Sequence, residues 1–498
     1  MKHTTRILAL LLALVLCLGL SVTAFATEAE TAATGNCSIT VENAKKDQTY
    51  KLYKMLNLSV SEDNTAYSYT VNDAWNNFFT GTGNGLKYVT ITEGFVTWKT
   101  DADPAAFAKD AEAFVKNSSL TATASKDTTE ADTNVVFSNL EPGYYLVTSS
   151  MGTKATVGTT PTNQTQTIQE KNVAPENDKK VEENSEIGVN DAYGKTNDAT
   201  IGETVHFQST ITAQAGAENY VFHDTMDTGL TFDANSVKVE LHQNGSTSTV
   251  ATTNYTVKTK QANSEDVTDN CTFEVEFKQA FCDTLKAGDK IVISYSATLN
   301  ASAVIGNNGN KNKSHITYGE KNTATPDSET TTKTWEVKVL KYTMKDNVET
   351  GLENAVFELK KSEDTAAEAI KLVKVRETNT YRVAMTTETD TVTTITTPAS
   401  GEFTIQGLDS GNYWLYEKKA PAGYNELKKP VKIVIAENGN VTVNEETVSV
   451  DKVKVENNTG ALLPSTGGMG TTIFYVLGGI LAVGAAVLLV TKKRMERI

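Results

Sequence analysis

Three polar residues continue apolar stripes in the last third of the chain. Side chains alternate between the two faces of a strand, so residues two apart share a face. Trp335, Val337, Val339 and Lys341 share one face, Tyr413, Leu415 and Glu417 another, and Val453, Val455 and Asn457 a third. An amine, an acid and a carboxamide are thereby aimed into an apolar interior. Taken singly, each could sit at a strand end and reach water, because a lone buried charge is costly. Taken together they suggest a reaction. Desolvation strips the proton from a buried Lys and keeps it on a buried Glu. The protonated acid can polarise the Asn carbonyl while the neutral amine attacks its carbon. Ammonia leaves, an amide ties the first strand of the domain to its last, and a dry core keeps water from competing. The pattern predicts an intramolecular isopeptide bond between Lys341 and Asn457, with Glu417 as the catalytic acid. Strand phase selects Asn457 over its neighbour Asn458.

The same residues carry a resemblance. The run from Val339-Leu340-Lys341 through Leu352-Glu353-Asn354-Ala355-Val356-Phe357 is similar to the B-type repeat of collagen adhesins. So is Tyr413-Trp414-Leu415-Tyr416-Glu417-Lys418-Lys419-Ala420-Pro421-Ala422-Gly423-Tyr424. In that family a Lys, the Glu before Ala-Pro-x-Gly-Tyr and a late Asn form the bond, which the resemblance places on Lys341, Glu417 and Asn457. A second set follows Pro175 and Lys179-x-Val181. Tyr220, Phe222 and Asp224 share a face, as do Asn312, Ser314, Ile316 and Tyr318. This stretch resembles the middle domain of Gram-positive backbone pilins, where the acid is often Asp. The resemblance implies Lys179 as amine, Asp224 as catalytic acid and Asn312 as amide. Lys180 is the rival amine, but Lys179 shares phase with Val181.

The two ends set the compartment. Residues 1–26 read as a secretory signal: Lys2 and Arg6, an apolar stretch from Ile7 to Leu20, and Ala24-Phe25-Ala26 as the cleavage site. At the other end Leu463-Pro464-Ser465-Thr466-Gly467 precedes an apolar run from Ile473 to Val490, then Lys492, Lys493, Arg494 and Arg497. The run is barely long enough to span a bilayer, with a basic tail to hold it on the cytoplasmic side. The combination resembles a sortase cell-wall sorting signal. That implies cleavage between Thr466 and Gly467 and transfer of the Thr466 carboxyl to an amine at a Gram-positive surface. Backbone pilins carry the acceptor lysine at the junction of their first and second domains, usually within Tyr-Pro-Lys-Asn. Here the junction reads Ile168-Gln169-Glu170-Lys171-Asn172, so the resemblance implies Lys171, with Lys154, Lys179 and Lys180 as substitutes. Ile168, Glu170 and Asn172 share a phase, which turns Lys171 the other way, to solvent.

The elements that must position these groups are strands. Thr, Val, Tyr and Gly are frequent and Pro is scarce, a composition that favours strands over helices. The chain length of 498 suggests about three domains. We expect a mainly β protein of tandem Ig-like, CnaB-type β-sandwich domains at 27–172, 173–328 and 329–460, with residues 461–498 as the sorting signal. Lys321 to Lys333 read as a linker. Asp103-Pro104 followed by Phe107, Ala111, Phe114 and Val115 predicts one short capped helix in the first domain. Leu408-x-x-Gly411-x-Tyr413-x-Leu415 repeats Leu140-x-x-Gly143-x-Tyr145-x-Val147, which implies that the first and third domains share one plan. Lys54 shares a face with Leu52, Leu56 and Leu58, and Asn172 closes the first domain. Ser149, however, stands where the third domain has Glu417, so no bond by that mechanism is expected there.

Composition removes other function classes. With 46 Lys+Arg against 61 Asp+Glu, a net charge of −15 disfavours nucleic acid. His206, His223, His242 and His315 are scattered without metal-ligand spacing, so no metal or cofactor is expected, and His223 beside Asp224 should face outward. After removal of the leader, Cys37, Cys271 and Cys282 remain; Cys271 and Cys282 could pair across a hairpin or stay reduced and buried. The combined reading is the backbone subunit of a sortase-assembled pilus that supports adhesion. Its partners would be a pilus sortase, a housekeeping sortase, copies of itself, minor pilins, peptidoglycan and a host surface ligand. The alternative is a wall-anchored monomeric adhesin or minor pilin binding a host ligand. A surface enzyme with β-sandwich spacers would need a catalytic domain, and no unassigned cleft motif or Ser/His/Asp arrangement is apparent.

Overall fold

The computed structural model describes residues 35–60, 66–80, 83–185, 192–260, 267–444, 446–459 and 469–495. The leader and the Leu463–Gly467 pentapeptide lie outside them. The chain divides into two compact units, 1–334 and 335–498. The expected mainly β architecture is what the chain adopts, with a helix, Pro104–Ser118, in the first domain. Asp103 caps that helix by accepting from the Ala105 N–H, with Pro104 at its first position, where a missing N–H costs nothing.

In the first domain a three-stranded sheet (Thr165–Gln169, Cys37–Ala44, Thr133–Leu140) packs on a seven-stranded one built around Thr49–Val60 and Gly143–Ser149. The Thr49–Val60 strand is buried on both sides. Tyr50 and Leu52 join Ile39, Val41, Phe137 and Val147 in the sandwich core. Tyr53 and Met55 join Trp75, Phe78, Phe79, Phe107 and Ala111 in a second core under the helix. A bulge between Lys54 and Leu56 changes the strand's phase, so the single face expected for Leu52, Lys54, Leu56 and Leu58 is broken. Leu56 packs with the helical core instead.

The middle domain pairs a six-stranded with a seven-stranded sheet. Glu176–Glu183, Thr204–Thr212 and Lys290–Leu299 lie side by side in the first, and Ser328–Lys333, Asn310–Tyr318, Val221–Met226 and Phe273–Phe277 in the second. The linker expected over Lys321 to Lys333 is corrected here. Ser328–Lys333 is a strand, antiparallel to Asn310–Ser314 and parallel to Thr196–Asp198, with Thr330 and Thr332 buried. Three consecutive threonines, Thr330 to Thr332, supply β-branching, and burial alternates with a period of two under a polar composition. The second compact unit begins at Trp335.

In the third domain the opening strand Trp335–Lys345 lies between Glu402–Leu408, antiparallel, and Val453–Glu456, parallel. The first domain has the same arrangement: Cys37–Ala44 between Thr133–Leu140, antiparallel, and Thr165–Gln169, parallel. The repeated motif has one physical core in both. Tyr145 Oη donates to the Glu141 carbonyl at 2.5 Å and Tyr413 Oη to the Asp409 carbonyl at 2.9 Å, each four residues back across the turn. The chain ends in the helix Met469–Met495. Its segment Phe474–Met495 is long and apolar enough to cross a membrane, with Lys492, Lys493 and Arg494 in the last turn.

Candidate functional site

In the third domain Lys341 and Asn457 come from the opening strand and from the residue just past the closing strand. Lys341 lies opposite Val455, and the Asn457 N–H donates to the Tyr342 carbonyl at 2.9 Å, so the two side chains are diagonal neighbours on the inner face. Glu417 reaches them from the facing sheet, on the strand Gly411–Lys419. Lys341 Nζ is 3.1 Å from Glu417 Oε1, and both side chains are wholly buried. Asn457 Nδ2 donates to Glu417 Oε2 at 3.0 Å and to the Asn425 carbonyl at 2.7 Å. The Leu427 N–H holds the same carboxylate oxygen at 2.9 Å. The acid therefore bridges amine and amide. Asn457 Oδ1 is buried and meets no donor among the described residues. Asn458 is exposed. Burial pushes the Lys341 ammonium below its ordinary pKa, against the pull of Glu417. A turn brings the backbone close behind the amine. Gly401, at φ +71°, lies so near the Lys341 carbonyl that a side chain there would collide with it.

The middle domain holds the second set. Lys179 Nζ, from Glu176–Glu183, lies 2.5 Å from Asp224 Oδ2 on the facing sheet, and both side chains are wholly buried. Asn312 is also fully buried. It sits diagonally from Asp224, since Asp224 lies opposite Ser314 and Met226 opposite Asn312. The Asn312 side chain lies against Asp224 and Tyr295 without a fully formed hydrogen bond to either of its polar atoms among the described residues. Lys180 points elsewhere, half-buried beside Asp178. Burial lowers the Lys179 pKa although Asp224 opposes it, and burial raises the Asp224 pKa although Lys179 opposes it. Both shifts favour a neutral amine and a protonated acid, the pair an attack on a carboxamide requires.

Sequence reasoning missed Tyr295. Its hydroxyl hydrogen-bonds both Lys179 Nζ and Asp224 Oδ2, and the Lys179 amine lies 4.8 Å from the centre of its ring. Tyr295 stands in the apolar stripe with Ile291 and Ile293, and a phenol tip in such a stripe was the available signal. His223 also departs from expectation. It is buried, stacked at 4.7 Å on His315, because residues 268–271 fold over that face.

Among the described residues of the first domain no such set comes together. Lys54 Nζ pairs with Glu141 Oε2 at 2.5 Å near the Tyr145 turn. Asn172 lies within 3.0 Å of Thr153 Oγ1, beyond the far end of the same strand pair, where Tyr50 faces Ser149. At the junction Lys171 is exposed between buried Glu170 and Asn172. Glu170, in place of the proline of the pilin motif, is held by Tyr50 Oη at 3.2 Å, by Thr153 and by the Asn172 N–H at 2.9 Å. Lys154 is engaged by Glu112 at 2.5 Å and Glu218 at 2.9 Å. Cys37, Cys271 and Cys282 are buried free thiols.

Three family models match the chain. Residues 335–447 match the SpaA prealbumin-like fold domain, residues 194–322 the Gram-positive pilin backbone subunit 2 Cna-B-like domain, and residues 455–497 the LPXTG cell wall anchor motif. No curated protein matches the chain. Among solved structures, the T6 backbone pilin of Streptococcus pyogenes is 17% identical over 80% of this chain and 79% of its own, at a TM-score of 0.49. The RrgB pilus protein of Streptococcus pneumoniae is 15% identical over 88% of this chain and 100% of its own, at 0.45. The major pilin SpaD of Corynebacterium diphtheriae is 18% identical over 85% and 98%, at 0.42. The resemblance to backbone pilins with a CnaB-like domain and an LPxTG signal is thus met in three separate segments. The chain is a secreted, cell-wall-anchored protein whose apolar C-terminal helix anchors it transiently in the membrane.

Proposed function

We propose that the chain is the repeating structural subunit of a covalent surface pilus. The match of its middle domain to a pilin backbone subunit, on a chain that ends in a cell-wall anchor, carries this reading. A pilus sortase cuts between Thr466 and Gly467 and holds the Thr466 carbonyl as a thioester. The Lys171 amine of the next subunit attacks that carbonyl, an amide forms, and the sortase thiol leaves. Exposure of Lys171 supports this choice, whereas Lys179 is sealed in the core and Lys154 is held by two carboxylates. A housekeeping sortase then passes the last Thr466 to peptidoglycan, and minor pilins complete the fibre.

Within each subunit two isopeptide bonds form without an external enzyme. The neutral amine of Lys341 or Lys179 attacks Cγ of Asn457 or Asn312. The side-chain acid of Glu417, or the protonated acid of Asp224, assists at the carboxamide, and the nitrogen leaves as ammonia. Expression in a Gram-positive host that makes the cognate sortase tests the polymer. Wild-type chain should give a ladder of covalent multimers on denaturing gels, and Lys171→Ala should give monomer alone. A ladder that survives Lys171→Ala moves the acceptor to another lysine. Monomer alone from wild type favours a wall-anchored monomeric adhesin.

A further inference from the structure

On the strand Val221–Met226 the residue after Phe222 faces away from the reactive core. His223 lies directly opposite Glu274 on one neighbouring strand and His315 on the other, so the three side chains share the outer face of the sheet. Residues 268–271 fold over them and bring in Asp269 and Cys271. His223, Cys271 and Glu274 are buried, and Asp269 stands at the rim, half-exposed.

We propose that His223, Asp269, Cys271 and Glu274 form a binding site for a divalent transition-metal ion, of which zinc best fits the donor set. Nothing in this inference depends on the pilus reading. Their ligand atoms all lie within 4.8 Å of one another. His223 Nδ1 is 3.2 Å from Asp269 Oδ2, 3.4 Å from Glu274 Oε1 and 4.0 Å from Cys271 Sγ, and Cys271 Sγ is 3.8 Å from Glu274 Oε1. Two nitrogen, oxygen or sulfur donors on one tetrahedral zinc stand about 3.3–3.8 Å apart, given metal–ligand bonds of ~2.0–2.3 Å. The imidazole is already oriented for the task. Its Nε2 is 2.9 Å from Thr317 Oγ1. With the ring proton on that nitrogen, the Nδ1 lone pair faces the other three groups, as in sites where an outer hydrogen bond sets the tautomer. Glu274 is fastened by the N–H and hydroxyl of Thr268 to Oε1, while Oε2 is buried with no partner among the described residues.

The grouping suits a cation. A lone pair, a thiol and two carboxylates thus converge, and the ion pairs of those carboxylates run to the imidazoles of His223 and His315. A bound ion would be met by Glu274 Oε1 and would take the thiol as thiolate, its proton passing to solvent.

The test uses the chain from Thr27 to residue 460, freed of metal and titrated with Zn²⁺ or Co²⁺ alone. One ion per chain is expected. Cobalt should give visible tetrahedral bands with a thiolate-to-metal charge-transfer band in the near ultraviolet. Cys271→Ser should abolish the charge-transfer band, and His223→Gln should abolish binding. Circular dichroism identifies any core variant that fails to fold. Asp269→Asn, at the rim, then decides, with an expected loss of ~10-fold or more in affinity. No cobalt spectrum in the wild type, or an unchanged one in Cys271→Ser and Asp269→Asn, would overturn the site.

Discussion

Lys179 and Lys341 sit where an amine has no access to water, and each is met by one acid that has a carboxamide beside it. Strand phase alone placed Lys341, Glu417 and Asn457 on inner faces, because a polar residue that continues an apolar stripe must point where the stripe points. Asp224 and Asn312 were reached through resemblance and then phase. Tyr295 was not legible, because an aromatic residue in a strand counts as apolar until its hydroxyl is seen against Lys179 and Asp224. His223 was misplaced because alternation tells which face a side chain takes but not whether a loop covers that face. The contacts of Tyr295 predict that Tyr295→Phe keeps the fold and slows bond formation in the middle domain alone. Intact mass against time after synthesis would show it, and an unchanged rate would remove the hydroxyl from the mechanism. Glu417→Gln and Asp224→Asn should each leave its own domain folded and unlinked, with a mass one ammonia rather than two below that of its own sequence.

The strand pair that follows each turn repeats between the first and third domains down to one hydrogen bond. Tyr145 and Tyr413 both reach the carbonyl four residues earlier. The sequence repeat announced this, since a glycine and a tyrosine two residues apart are what such a corner needs. The strand Ser328–Lys333 was hidden because its threonines read as linker by polarity and as strand by branching, and pairing on both sides decided between them. The bulge at Lys54 was invisible because an extra residue in one strand leaves no mark on composition. Tyr145→Phe and Tyr413→Phe should each lower the stability of their own domain by about 1 kcal/mol, the usual net worth of such a bond. Denaturant unfolding of each variant measures it, and no change in either would show the bond to be incidental.

The first and middle domains are joined by more than the chain between them. Glu112 and Glu218, both buried, share Lys154 and Lys116, and Lys116 also meets Glu320 at 3.4 Å. Burial, then Glu218, raise the Glu112 pKa, and the two lysines oppose the rise. Removing one partner of such a network leaves a buried charge unpaired, so Lys154→Met should loosen the junction. Faster proteolysis near Lys171, with both domains intact, is the expected result; unchanged cleavage would contradict it. In the proposed fibre the two proposed ties, Lys179–Asn312 and Lys341–Asn457, would matter more under tension. Each would close a loop of more than a hundred residues, and a closure of that length stabilises by roughly 4–5 kcal/mol in the chain-entropy model. The direct measurement is the intact mass of residues 27–460 beside Lys179→Ala and Lys341→Ala. The account predicts a wild-type chain lighter than its sequence by two ammonia units and each variant lighter by one. A wild-type mass equal to that of the sequence would contradict it, and a third lost ammonia would contradict the separation of Lys54 from Asn172.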